Sequence, residues 1–75
     1  QERARGLLGW LAGVQPGGQD DALAWVVRAL KDDGLTPQEI GGLVWPVVSA
    51  WPCSKGSWTE QDIQRHLRSA YRGAV

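Results

Sequence analysis

Three arginines near the C-terminus carry the clearest chemical possibility in this chain. Arg65, Arg68 and Arg72 are spaced three and four residues apart, so on a helix they share one face. No acid follows Asp62. A row of guanidinium groups free of carboxylates suits contact with phosphates, and each neutralised phosphate adds affinity and salt dependence. The competing reading is a solvated helix face, placed where cations complement a helix C-terminus. Just upstream lies WPCSKGSW, which holds Trp51, Lys55 and Trp58. Exposed aromatics there would stack on unpaired bases at about 1–3 kcal/mol each. Trp45, Trp51 and Trp58 read mostly as core, because the chain has no Phe and no Met to fill its interior. Trp51 lies between Ala50 and Pro52, outside either helical stripe, and is expected to be the most exposed of them. The candidate nucleic-acid contacts are therefore Arg65, Arg68, Arg72, Lys55 and Trp51.

Other reactive side chains assemble into nothing. His66 stands beside Arg65 without Cys, His or carboxylate partners at metal-ligand spacing. Cys53 has no His at a recognisable nucleophile–base spacing and reads as a loop cysteine. Asp20/Asp21 and Asp32/Asp33 flank opposite ends of one helix, too far apart to share an ion, and read as solvated surface. No catalytic residue, metal ligand or cofactor site is expected. The domain itself is not expected to be an enzyme.

Four segments must position these residues. Glu2 to Leu11 reads as a weak helix with Leu7, Leu8 and Leu11 on one face. Gly6 and Gly9 weaken it by about 1 kcal/mol each relative to Ala, and Arg3 and Arg5 lie on its fraying start. Gln15-Pro16-Gly17-Gly18 breaks the chain. A second helix follows, capped by Asp20 or Asp21. Leu23, Val26, Val27 and Leu30 form its apolar stripe, widened by Ala22 and Trp25, and Gly34 ends it. Thr36-Pro37-Gln38-Glu39 is a capping box with Pro at the first helical position. Ile40, Leu43, Val44 and Val47 continue that helix. Gly41 and Gly42 suggest a close helix approach, and Pro46 predicts a kink or restart near Trp45. Thr59 and Asp62 cap the last helix, which buries Ile63, Leu67, Ala70 and Tyr71. The pattern predicts an all-α fold, a small bundle of three to four helices.

Composition sets the bounds. Seventy-five residues form a single domain, residues 1–75, of marginal stability. Five Trp offset the small size, since each can bury about 150–250 Å². One Cys permits no internal disulfide and fits a reducing compartment. Eight basic and eight acidic residues balance, which argues against gripping nucleic acid by bulk charge. There is no signal peptide and no apolar run long enough for a membrane. A start at Gln1 instead of Met reads as a piece of a longer protein.

From Gln15 to Arg72 the order of elements resembles the primase C-terminal helical domain of phage and plasmid primase-polymerases. Gly17, Gly18, Leu23, Gly34, Thr36, Ile40, Pro52, Trp58, Asp62, Ile63 and Tyr71 carry the match. Where that family often places Arg-Asn after the Gly-rich turn, this chain has Gln19-Asp20, which moves any binding role to the last helix. The resemblance implies a non-catalytic accessory domain of DNA replication that assists binding of single-stranded DNA template and primer initiation. Its partners would be the primase-polymerase catalytic domain and a helicase domain of the same protein, in the cytoplasm of a bacterial host cell. The alternative is a docking module that links polymerase and helicase without touching DNA.

Overall fold

In a computed structural model, which describes residues 2–51 and 58–72, the helix boundaries follow from a few local signals. The elements are α1 (Glu2–Ala12), α2 (Gln19–Asp32), α3 (Pro37–Val48) and α4 (Glu60–Tyr71), and no strand occurs among the described residues. The fold is an all-α bundle of four helices.

The α2–α3 turn is the most completely specified. Gly34 takes φ +93°, open to glycine at little cost. Its N–H donates to the Lys31 carbonyl, and the Leu35 N–H donates to the Leu30 carbonyl. This double closure satisfies carbonyls that the end of α2 would leave orphaned. Two residues later Thr36 opens α3. Its hydroxyl accepts from the Glu39 N–H at 3.1 Å, and its own N–H donates to the Glu39 carboxylate at 2.9 Å. Thr59 opens α4 with only half of that pattern: its N–H and hydroxyl both donate to the Asp62 carboxylate, at 2.8 and 3.2 Å, while the Asp62 N–H donates to the Thr59 backbone carbonyl at 3.1 Å.

Three expectations about α2 and α3 need correction. Helix α2 starts earlier than its aspartates, with Gly18 as N-cap and no side-chain cap. Asp20 and Asp21 instead occupy the first turn, where carboxylates complement the helix dipole. Of the kink or restart expected near Trp45, the restart does not occur: helix α3 runs through Pro46 to Val48. Proline deprives the Gly42 carbonyl of its usual donor, and Gly42 lies exposed, where the loss costs less than it would in the core. Of the two glycines in α3, only Gly41 faces another helix: a Cβ there would meet Leu67 at 3.7 Å, while Gly42 faces open space.

The core lies where the apolar stripes meet. Leu11, Leu23, Val26, Val27, Leu30, Ile40, Val44 and Val48 are fully buried, with Ile63 and Leu67 nearly so. Helices α2 and α3 each touch all three others, while α1 and α4 lie on opposite edges without mutual contact. Helices α1 and α2 run antiparallel, since Arg3 pairs with Asp33 and Trp10 meets Trp25. Arg3 is thus held at 3.0 Å from a mostly buried carboxylate and is not left on a free end.

Trp51 is the clearest reversal. It was expected to be exposed, yet it retains 7% of its accessible surface. Its indole N–H donates to the Leu11 carbonyl at 3.1 Å, across 40 residues. That carbonyl lies in the last turn of α1 and also accepts from the Val14 N–H at 3.2 Å, so Trp51 is its second donor. Trp58 packs edge-on against Trp51 with centroids 5.3 Å apart. Trp25 reverses in the opposite sense: Ala22 beside it is buried, but Trp25 stays 55% exposed.

Candidate nucleic-acid interface

The outer face of α4 follows from its inner one. Ile63 and Leu67 point into the core, so positions rotated by about half a turn point to water. Arg65, Arg68 and Arg72 occupy those positions and all three are exposed. Arg68 lies in the last turn and Arg72 is the C-cap, where positive charge stabilises the helix end. Lys31 reinforces the same end from α2: its ammonium donates to the Ala70 carbonyl at 2.8 Å and stands 5.3 Å from the centre of the Tyr71 ring. The Tyr71 hydroxyl donates to the Leu35 carbonyl at 2.7 Å. Burial, and then the Glu39 carboxylate, push this phenol above its ordinary pKa.

The arginine row is not free of acids in space. Arg65 approaches Asp20 of α2 at 3.4 Å and Asp62 of its own helix at 3.8 Å. Asp20 also lies 2.8 Å from His66 Nε2, whose side chain is 11% exposed. The chain leaves no acid beyond Asp62, but α2 brings one across 45 residues. Both Arg65 and Asp20 are well exposed, so this pair contributes between about 0 and 1 kcal/mol. It nevertheless reduces the charge that Arg65 offers to a phosphate. Among the described residues, Arg68 and Arg72 hold no ion pair.

No protein-family model matches this chain, and no characterised protein or solved structure matches it significantly.

The residues expected to form one surface therefore separate. Arg65, Arg68 and Arg72 share the outer face of α4. Trp51 is buried in the core and offers no stacking platform. Lys55 and Cys53 lie outside the described residues. Among the described residues, no three His, Cys, Asp or Glu side chains converge as metal ligands, and no helix is long and apolar enough to cross a membrane. Sequence reasoning missed a second exposed feature. Trp10 and Trp25, 53% and 55% exposed, meet edge-to-face on the outside of α1 and α2 with centroids 5.6 Å apart. The only signal for it was that Trp10 falls off the Leu7–Leu8–Leu11 stripe.

Proposed function

We propose that this bundle is a non-catalytic accessory domain of a replicative primase-polymerase, holding single-stranded template through the outer face of α4. The reading is supported by Arg68 and Arg72, one turn apart, both exposed and without an ion pair among the described residues. Arg65 contributes less, because Asp20 and Asp62 already occupy it. Two freely available guanidinium groups make the contact weak. Affinity should fall by about 1.4 log units per tenfold rise in salt, at about 0.7 for each phosphate neutralised on a single strand. A titration of labelled single-stranded DNA against the wild type and Arg68→Glu tests this. The charge reversal is expected to weaken binding strongly while leaving the helical signal intact, since Arg68 lies off the buried face. Equal binding by the two proteins would remove the proposal.

The rival reading, a module docking polymerase to helicase without touching DNA, draws on the zero net charge and the partial neutralisation of Arg65. Primer synthesis by the parent protein separates the two. Template holding predicts that Arg68→Glu impairs initiation more than extension. Docking predicts that neither changes.

A further inference from the structure

The exposed tryptophan pair is independent of the arginine face. Trp10 and Trp25 lie on the α1–α2 side, lining a shallow apolar groove with Leu7. A soluble helix gains little by presenting two half-exposed indoles to water, since each forgoes much of its burial energy. The charges around this groove are arranged in a particular way. Asp21 and Arg28 lie on the outer face of α2, seven residues apart, on either side of Trp25. Both are exposed, and neither holds an ion pair among the described residues. They are separated by about 10.5 Å along the helix, too far to pair with each other.

We infer that this face binds a second copy of the chain in a two-fold dimer, with α2 antiparallel to α2 of the partner. A two-fold axis midway between Asp21 and Arg28 sets Asp21 of each copy opposite Arg28 of the other. The same axis passes between Ala24 and Trp25, so each indole faces the small Ala24 of the other copy. An isologous contact requires such self-complementarity, acid facing base and large facing small. Zero net charge removes the long-range repulsion that keeps identical chains apart. The apolar centre is small, so the contact falls at the low end of interface sizes and exchanges rapidly. Because the surface is not that of the arginines, this dimer stands or falls separately from template binding.

Sedimentation velocity across a range of protein concentrations, with circular dichroism to confirm folding, tests the inference. The wild type should show a concentration-dependent monomer–dimer equilibrium. Trp25→Ala should weaken it about tenfold or more. Asp21→Arg and Arg28→Asp, each alone, should also weaken it about tenfold, because like charges then face one another twice per dimer. The double variant Asp21→Arg/Arg28→Asp should recover wild-type association, and the two single variants should associate with each other when mixed. Arg68→Glu carries the same net charge as Arg28→Asp on a different surface and should dimerise as the wild type does. A wild type monomeric at every concentration overturns the dimer. So does a double variant as weak as the singles, or an Arg68→Glu protein as weak as Arg28→Asp.

Discussion

Two tryptophan pairs with nearly the same geometry lead opposite lives in this protein. Trp51 and Trp58 meet at 5.3 Å and 70°, and Trp10 and Trp25 at 5.6 Å and 66°. Both are edge-to-face contacts, which contribute about 0.5–1.5 kcal/mol beyond their buried area. The inner pair closes the bundle: Trp51 covers the core and its indole N–H serves the end of α1. The outer pair covers nothing of comparable depth and leaves both rings half in water. Ring contact alone therefore says little about a tryptophan's contribution. Burial against the core decides it, helped at Trp51 by a bonded indole N–H, and a pair left half in water is available for a partner.

The sharpest way to break this comparison is truncation of the inner pair. Trp51→Ala should destabilise the domain by about 3–5 kcal/mol through the cavity it leaves, with the lost bond to the Leu11 carbonyl adding a smaller share. That is much of the stability expected of so small a domain. Urea denaturation should show a protein largely unfolded or nearly so. A melt close to wild type would mean that the inner pair is no more structural than the outer one.

Tyr71 stands between the extremes, half-buried and hydrogen-bonded through its hydroxyl. Tyr71→Phe should cost about 0.5–1.5 kcal/mol, the net value of one such bond. Its pH dependence has a definite sign. The fold raises this phenol's pKa, so the folded state favours the neutral form. The contribution is intact below the unfolded value of about 10 and is lost as pH rises from there through the raised folded value. Denaturant midpoints measured from pH 8 upward should fall above about pH 10, and less so in Tyr71→Phe. Identical alkaline profiles would detach Tyr71 from this role.

The smallest effect belongs to the outer pair. Trp25→Ala in the monomer should change stability by about 1 kcal/mol or less, the size of a surface change plus an exposed ring contact. The comparison holds if this substitution alters association far more than the unfolding midpoint. Loss of several kcal/mol in dilute solution would place Trp25 with the structural tryptophans after all.

Much of the fold was legible in the chain because its signals are local. Thr36 and Glu39, and Thr59 and Asp62, lie three residues apart, so the helix start itself brings each pair together. Gly34 ends α2 for a backbone reason that depends on no distant residue. The stripes of Leu23, Val27 and Leu30, of Ile40 and Val44, and of Ile63 and Leu67 face inward because 3.6-residue periodicity leaves each helix one apolar side. The same periodicity set Arg65, Arg68 and Arg72 facing outward together.

Tertiary structure alone decided which partners those surfaces met. Asp20 reaches Arg65 and His66 across 45 and 46 residues, so an arginine row free of acids along the chain is not free of them in space. Trp51 follows no helical stripe, yet the chain after α3 turns it onto the Leu11 carbonyl at the end of α1. Trp25 adjoins a stripe, yet the packing buries Ala22 and leaves the indole exposed. Helical period determines the direction of a side chain from its own helix; only the packing of helices determines what, if anything, lies there to meet it.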